Sequence, residues 1–302
     1  MELSAASLRA LQAVAESGSI SEAARVLGYT QSAVSRQVAA AEQEVGHQLF
    51  VREHAGVRPT REGLIVLRYA AVAVQAMRTA LDEITSAGEK VRTVRLGLIP
   101  AAGTTLLTTT LALLARSDPA LRVTTRQGST PGLLRAVRSG GLDLAVVTQR
   151  PPYPSPDGEA PALAVTPILD TTLMLAVAAD GPWGSRETLD VAELTGQPWI
   201  SGLATSTEPQ LGVWPHLPGR PSVAHRANDW LARLRLVAAG AGITTIPGPF
   251  LAGLVPQVHA VALTGVPEER RRVSAVHIPG RTPAEAPAVL DALHLAAEEL
   301  TV

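Results

Sequence analysis

The chain has 302 residues, of which 46% are hydrophobic and 18% are charged, a balance typical of a folded protein rather than a disordered one. Its formal net charge of −1 lacks the basic excess that a nonspecific nucleic-acid binder usually shows. Cysteine is absent, which excludes disulfides, thiolate metal sites and a cysteine nucleophile.

The first residues predict neither export nor membrane insertion. Glu2, Arg9 and Glu16 interrupt any apolar core near the N-terminus, and the chain has no run of about 18 apolar residues. We therefore expect no signal peptide and no membrane span. Because the lack of cysteine also suits a reducing compartment, we expect a cytoplasmic protein.

Residues 1–60 predict three short helices and a small hairpin. The first helix covers about 4–17. Ser19-Ile20-Ser21-Glu22 has the spacing of a capping box, in which Ser19 caps the amide of Glu22 and Glu22 reaches back, so a second helix begins there. This helix ends at Gly28. A third helix runs from about Gln31 to Val45, and residues 49–52 and 57–60 form a wing around Gly56.

Residues 61–88 carry one long helical pattern in which apolar side chains recur every three or four residues. The apolar stripe comprises Leu64, Leu67, Ala71, Val74, Met77, Leu81 and Ile84. Little else in the same short domain can cover this stripe, so it predicts a helix that pairs with itself or docks elsewhere. An ordinary core helix is the alternative.

Strands and helices alternate after Gly88. Strands are predicted at 93–99, 121–127 and 142–147, with helices at about 104–116 and 130–139, and this order indicates a parallel sheet with crossover helices. A Pro-rich surface loop is predicted at 151–161. The second unit is predicted to have strands at 173–179, 198–201, 222–226 and 242–247 and a helix at about 229–239. After this unit, a further strand is predicted at 271–278 and a final helix at 284–300. We expect the chain to cross between two lobes near 162–168 and 262–270.

Taken in this order, the residues resemble a LysR-type transcriptional regulator. The resemblance is strongest over the first sixty residues, at Leu8, Leu11, Val14, Ser19, Ala23-Ala24, Leu27, the segment TQSAVSRQV at 30–38, Glu42, Val45-Gly46, Leu49-Phe50, Arg52, Thr60 and Gly63. Segments 128–147 and 234–247 resemble parts of the two sensor lobes. Leu11 and Ala41 stand where the family commonly has phenylalanine and leucine, and both keep an apolar face.

The resemblance implies an α/β fold class, with an N-terminal winged helix-turn-helix and linker helix followed by a two-lobed α/β effector-binding domain. The expected domains are a DNA-binding domain at 1–60, a linker and dimerisation helix at 61–90, and an effector-binding domain at 91–302. Lobe I would comprise about 91–164 and 267–302, and lobe II about 165–266.

The function implied is that of a ligand-responsive, sequence-specific transcriptional regulator and not of an enzyme. Effector binding between the sensor lobes would alter oligomer geometry and DNA bending. The implied partners are double-stranded promoter DNA with dyad symmetry, a small effector for which an anion is one candidate, and further copies of the chain in a homodimer or homotetramer. RNA polymerase is a candidate partner, and no cofactor or metal is expected.

The third predicted helix has two unlike faces. Val34, Val38, Ala41 and Val45 share an inward face, because they are four, three and four residues apart. The outward face near the helix start can read base edges in a major groove. Its candidate residues are Gln31, Ser32, Ser35 and Arg36. A merely solvated helix face is the alternative.

Four further residues are candidates for DNA contacts outside this helix. Ser19 and Ser21, near a helix start, are expected to contact phosphates. Arg52 and Arg58 flank the wing and can reach the DNA backbone or the minor groove. For Arg52, an ordinary salt bridge to Glu42 or Glu53 is the alternative.

Candidate effector-binding residues are predicted at turns that follow strands, because ligands of open parallel sheets gather at the carboxyl ends of strands. The first turn has Thr104 and Thr105 where a helix begins, and a cap-only role is the alternative there. The same turn contains Pro100 and Gly103. The family resemblance places the effector between the lobes and adds Gln127, Gly128, Thr148, Ser201, Gly202, Asn228, Pro247 and Gly248, for which ordinary turn chemistry is the alternative. Trp230 and the tryptophan of PWISG at 198–202 either form an aromatic floor for the pocket or belong to the core.

Rival functions have less support in the sequence. The chain lacks the GxSxG, HExxH and GxxxxGK[ST] motifs, and no two of its histidines are four residues apart, so an enzyme or a metal site is not expected. A solute-binding protein would need an export signal and no helix-turn-helix. A DNA-binding regulator that senses no ligand remains the second alternative.

Overall fold

The computed structural model of the protein describes residues 3–53, 56–85, 92–153, 161–202, 211–215, 217, 219–251 and 255–301. Most of the predicted Pro-rich loop at 151–161 lies outside these ranges. The end of the predicted linker helix also lies outside them.

The N-terminal domain is a winged helix-turn-helix. Its elements are α1 (Ala5–Ser17), α2 (Ile20–Leu27), α3 (Gln31–Val45), β1 (Phe50–Glu53) and β2 (Gly56–Pro59), with β1 and β2 paired antiparallel. Each of the three helices begins at a hydroxyl side chain that accepts a backbone amide hydrogen and ends at a left-handed glycine. Leu11, Val14, Ala23, Val34 and Leu49 meet in one buried core.

The capping box predicted at the start of α2 forms only in part. The Ser19 hydroxyl accepts the Glu22 amide at 3.4 Å, as predicted. The carboxylate of Glu22 does not reach back, because Arg25, one turn later, binds it with two hydrogen bonds of 2.6 and 2.9 Å. The Ser19 amide instead donates to the hydroxyl of Ser17 at 3.2 Å.

The linker helix α4 spans Arg61–Thr85, and its apolar residues divide between two surfaces. Leu67, Ala71 and Val74 of the predicted stripe are buried within the chain, whereas Met77 is 57% exposed. Ile65 and Tyr69 are also exposed. The expectation that the whole stripe is uncovered is therefore wrong, because α1 packs on this helix and Gly140 of the sensor domain lies against Ala71.

The sensor domain begins with three parallel strands separated by helices, as predicted. These elements are β3 (Arg92–Leu98), α5 (Thr105–Ser117), β4 (Leu121–Gln127), α6 (Thr130–Arg138) and β5 (Leu144–Gln149). The remaining elements are β6 (Ala164–Ala178), β7 (Thr188–Asp190), β8 (Pro198–Ser201), β9 (Ser222–Arg226), α7 (Trp230–Ala238), β10 (Thr244–Pro247), β11 (Val258–Thr264), β12 (Arg270–His277) and α8 (Ala286–Thr301).

The long strand β6 joins the two parts of the sensor domain. Its first half pairs antiparallel with β12 as far as Thr172, and from Leu173 onward it pairs antiparallel with β10 and β11. The resulting sheet has the order β4-β3-β5-β12-β6-β11-β7, and β8 and β9 form a separate parallel pair. The second unit is therefore not the simple repeat of the first that the sequence suggested. No helix in the described ranges is long and apolar enough to span a membrane.

Candidate DNA-binding and effector-binding sites

Helix α3 buries one face and exposes the other. Val34, Val38 and Ala41 are buried, whereas Gln31, Ser32 and Arg36 are exposed and Ser35 is half-buried. Thr30 caps the helix by accepting the Ala33 amide at 3.2 Å, and its hydroxyl shares a 3.1 Å hydrogen bond with that of Ser32. The four candidate residues thus lie together on the first turns of a helix whose opposite face is fixed in the core.

The other candidate DNA contacts surround this helix. Ser21 is exposed, and Ser19 is half-buried because its hydroxyl caps α2. Arg52 and Arg58 are exposed on the two strands of the wing. Glu42, a candidate partner for Arg52, instead accepts the amides of Leu49 and Phe50 at 2.8 and 3.2 Å. Its carboxylate therefore anchors the wing to the recognition helix.

Two exposed apolar residues beside α3 escaped the sequence reasoning. Val26 is 64% exposed and Tyr29 is 51% exposed, and both precede the recognition helix. Neither belongs to an apolar stripe, so periodicity gives no signal for them. Their exposure adds apolar surface next to the hydrogen-bonding face of α3.

The candidate effector residues lie at or just beyond the carboxyl ends of strands in both parts of the sensor domain. Pro100 and Gly103 follow β3, Gln127 ends β4 and Gly128 follows it, and Thr148 lies near the end of β5. Ser201 and Pro247 end β8 and β10, Gly202 and Gly248 come directly after them, and Asn228 follows β9. One hydrophobic cluster connects the two groups, since it contains Leu98 and Leu106 of the first part and Ile200, Trp230 and Ile246 of the second.

Two threonine hydroxyls at the start of α5 differ in their hydrogen bonding. The Thr104 hydroxyl donates to the Ala101 carbonyl at 2.7 Å, and no side chain caps the helix. The buried hydroxyl oxygen of Thr105 has no hydrogen-bond partner in the described structure. The Gln127 side chain lies so close that a Cβ at Gly103 would approach its Nε2 to 2.5 Å. Gly103 and Gln127 are therefore close neighbours, and Thr105 lies two residues beyond Gly103 at the start of the helix.

A second group of buried polar atoms lies where β8 and α7 meet. Ser201 is 2% exposed, and its hydroxyl has no partner among the described residues. The indole Nε1 of Trp230, the first residue of α7, is likewise buried without an acceptor. The guanidinium of Arg233 stacks 5.6 Å from the Trp230 ring centroid. Trp199, by contrast, is fully buried core, and sequence reasoning missed Arg233 because a buried arginine has no sequence pattern.

The remaining candidates are less closely grouped. Thr148 pairs with Val273 of β12, and Asn228 is exposed. A Cβ at Gly248 would lie 2.8 Å from the sulfur of Met174, so this glycine permits a close approach to β6. In the described residues, no group of three His, Asp or Glu is arranged to hold a metal ion.

Comparison with known proteins decides the family. Residues 5–64 match the family model described as a bacterial regulatory helix-turn-helix protein of the lysR family, and residues 87–298 match the LysR substrate binding domain. The chain belongs to the LysR family. This regulator is therefore a DNA-binding transcription factor with an effector-binding domain, and the fold class and function inferred from the sequence are confirmed.

Curated relatives of this LysR-family regulator include activators named for hydrogen peroxide. It is 28% identical over 283 residues to a hydrogen peroxide-inducible genes activator of Dickeya chrysanthemi, covering 90% of this chain and 88% of the relative. It is 30% identical over 247 residues to a probable activator of the same name from Mycobacterium avium, covering 80% and 77%.

Solved structures of the family share the fold over nearly the whole chain. A full-length OxyR variant from Pseudomonas aeruginosa has a TM-score of 0.61 at 20% identity and covers 98% of this chain and 96% of its own. The regulator CbnR, solved in complex with its target DNA, has a TM-score of 0.57 at 21% identity and covers 98% and 100%.

Proposed function

We propose that this LysR-family regulator reads promoter DNA with Gln31, Ser32, Ser35 and Arg36 of α3. The observation that carries the proposal is the two-faced helix, whose valines lie in the core while these four polar side chains remain outside. Arg suits guanine and Gln suits adenine in the major groove, and Ser hydrogen-bonds to bases or phosphates. Ser19, Ser21, Arg52 and Arg58 would contact the DNA backbone around this helix.

The effector pocket is proposed at the ends of the sensor strands. It is supported by three buried polar atoms near these ends that have no hydrogen-bond partner among the described residues: the hydroxyls of Thr105 and Ser201 and the indole nitrogen of Trp230. Buried polar groups without partners are rare unless a ligand or water satisfies them. The indole and the uncapped amides at the α5 start are donors, so the pocket suits a ligand with acceptor oxygens, such as a carboxylate.

Some relatives are named for hydrogen peroxide, but we do not propose that this chain senses peroxide through thiol chemistry. Solved relatives include OxyR in oxidised and reduced forms and an OxyR mutant with H2O2 bound. This regulator contains no cysteine, so no thiol is available to be oxidised by peroxide. Noncovalent binding of a small effector is the mode that its pocket residues support.

Assembly is proposed to proceed through α4. Ile65, Tyr69 and Met77 are 45%, 64% and 57% exposed on this helix, and an exposed apolar surface of this kind suits a second copy of the chain. A dimer would present two recognition helices to a dyad-symmetric site, and sensor contacts would build a tetramer that bends the DNA. The regulator would act in the cytoplasm, where RNA polymerase would respond to the bent DNA.

The alternative of a ligand-independent regulator keeps the DNA-binding half of the proposal and leaves the pocket without an effector. A solute-binding protein is disfavoured because the chain carries a helix-turn-helix domain matched over residues 5–64. Neither alternative has an observation that favours it over an effector-responsive regulator.

The experiment that tests the proposal is gel retardation with DNA from the gene's own upstream region. At low salt, the purified full chain is expected to retard this DNA more strongly than an unrelated duplex of equal length. Low salt is required because the charge balance predicts modest nonspecific attraction. Equal retardation of both duplexes, or of neither, would rule out sequence-specific binding to this region.

A further inference from the structure

The sensor domain contacts the DNA-binding domain directly, through α1. Near the end of that helix, the Glu16 carboxylate accepts a hydrogen bond from Arg126 Nη1 of β4 at 2.6 Å. The Glu16 backbone carbonyl accepts another from Arg135 Nε of α6 at 3.0 Å. One turn earlier, Gln12 Nε2 donates to the buried Ser139 carbonyl at 3.3 Å. We call Gln12, Glu16, Arg126, Arg135 and Ser139 the coupling interface.

The backbone turn after α6 is pressed against the DNA-binding half of the chain. A Cβ at Gly140 would lie 2.0 Å from the Cβ of Ala71 on α4. A Cβ at Gly141 would lie 1.8 Å from Oε1 of Glu16. The contact therefore involves close packing with two helices and not a single surface ion pair.

The coupling interface continues into the candidate effector site along the chain. Arg126 is followed immediately by Gln127, whose side chain lies against Gly103 at the start of α5. Ser129 then caps α6, the helix that carries Arg135. A ligand bound against Gln127 would therefore lie one residue from Arg126 and two residues from the Ser129 cap of α6.

The interface leaves the DNA-reading surface open. Gln31, Ser32 and Arg36 are exposed, whereas Gln12 on α1 is buried. Contact with the sensor domain thus does not cover the recognition helix. What it fixes is the orientation of that helix relative to the sensor domain.

We propose that the coupling interface transmits effector occupancy to the DNA-binding domain by setting its orientation, with Glu16 as the positioning residue. This inference rests on the proposed function for its effector and its DNA. In a dimer, the orientation of each DNA-binding domain sets the spacing between the two recognition helices, and spacing selects the half-site separation. Loss of the interface would leave each recognition helix intact, but the spacing between the two helices would no longer depend on the sensor domain.

The first test measures orientation without DNA or effector. The chain has no cysteine, so Gln43→Cys on α3 and Thr108→Cys on α5 allow two spin labels to be placed on exposed positions. Dilution with excess unlabelled protein isolates distances within one chain. In this background, Arg126→Gln is expected to broaden the distance distribution, and Arg126→Lys, which keeps a cation near Glu16, to retain the narrow one.

Glu193→Gln is the matched control for this test. Glu193→Gln breaks an ion pair of the same type, Arg186–Glu193, in the part of the sensor domain away from α1. It should leave the distribution unchanged. A distribution for Arg126→Gln identical to that of the parent would overturn the proposal.

The second test measures DNA affinity by fluorescence anisotropy on two duplexes from the upstream region, one with both half-sites and one with a single half-site. Arg126→Gln lies in the sensor domain and leaves the charge of the DNA-binding domain unchanged. We expect about a fivefold loss of affinity or less on the two-site duplex, in line with a partly exposed ion pair, and no change on the single site. Equal effects on both duplexes would contradict the coupling role. Failure of the parent chain to bind either duplex would instead contradict the proposed function.

Discussion

Arg36 offers the sharpest test of base readout at the scale of single residues. Its side chain is exposed on the recognition helix, and Nε donates only a long 3.4 Å hydrogen bond to the Ser32 carbonyl. A guanidinium with its terminal nitrogens directed at DNA can bind guanine with two hydrogen bonds.

Arg36→Ala is expected to cost about 1–3 kcal/mol of discrimination at one base pair, which is the usual contribution of such a contact. Binding measured across a set of duplexes with single substitutions would show the loss at that position alone. Gln43→Ala, on the exposed far end of the same helix, is the control and should leave the preference intact. A uniform loss across all duplexes would assign Arg36 to the phosphates.

Thr105 is the candidate effector residue best suited to a test of the pocket. The Thr104 hydroxyl holds the turn by donating to Ala101, whereas the buried hydroxyl of Thr105 has no partner in the described ranges. Thr105→Val should leave the Tm of the free protein unchanged or slightly raised, because it removes an unsatisfied buried polar atom.

The same variant is expected to weaken ligand binding. In a thermal-shift titration with a panel of small carboxylic acids, Thr105→Val should reduce the affinity of any stabilising acid by about tenfold or more, because a hydrogen bond to a charged group usually contributes about 1.5–3 kcal/mol. Thr108→Val removes a hydroxyl from the exposed side of α5 and should not change it. Unaltered affinity in Thr105→Val would place the ligand elsewhere.

At the scale of elements, the joint between the wing and α4 depends on Thr60. Its hydroxyl accepts the Gly63 amide at 2.9 Å, capping the helix, and donates to the Gln48 carbonyl at 2.8 Å. Gly63 is required there because a Cβ would lie 2.0 Å from the Leu49 carbonyl oxygen. The start of α4 is thus held against the segment before β1 by the Thr60 side chain and by the close contact between Gly63 and Leu49.

Thr60→Val is expected to destabilise the protein by about 1 kcal/mol, the typical cost of losing a helix cap. The loss should appear as an earlier urea transition in the circular dichroism of the full chain. Thr60→Ser keeps the hydroxyl and should restore most of the stability. Equal midpoints for the valine variant and the parent would show that water replaces the cap.

Elements with a local signal were predictable from the sequence, and elements that depend on distant partners were not. Helix α3 and strands β4, β8 and β9 have the predicted bounds, since caps and alternation mark them. The first half of β6 was missed because Pro167, Asp170 and Thr171 interrupt its apolar pattern, and its partner β12 is about a hundred residues away.

The same distinction holds for the sites. Gln31 to Arg36 follow from helical periodicity, whereas Glu16 pairs with Arg126 across 110 positions and leaves no pattern in the sequence. Likewise, the apolar stripe of α4 is visible in the sequence, but the sequence does not show that Gly140 covers the stripe at Ala71. Strand ends predict where ligands gather, and only packing reveals that Ser201 and Trp230 have buried polar atoms without a partner among the described residues.

At the scale of the whole molecule, the proposed assembly depends on the exposed part of α4. Ile65, Tyr69 and Met77 are separated by four and eight residues, so they share one face, and all three are at least 45% exposed. In a two-fold dimer each side chain is buried twice, once in each copy. Burial of a large apolar side chain contributes about 1.5–3 kcal/mol, so each position contributes substantially to the dimerisation constant.

Met77→Glu is therefore expected to weaken dimerisation by about a hundredfold or more, because it removes two buried apolar groups and adds two carboxylates at a two-fold interface. Sedimentation velocity over a concentration series would measure this as a shift toward monomer. Gln257→Glu, an exposed substitution of equal charge on the sensor surface, should sediment as the parent does. Binding to a single half-site should survive in the Met77 variant while the two-site affinity falls. If the variant sediments as the parent does, the sensor domain and not α4 holds the copies together.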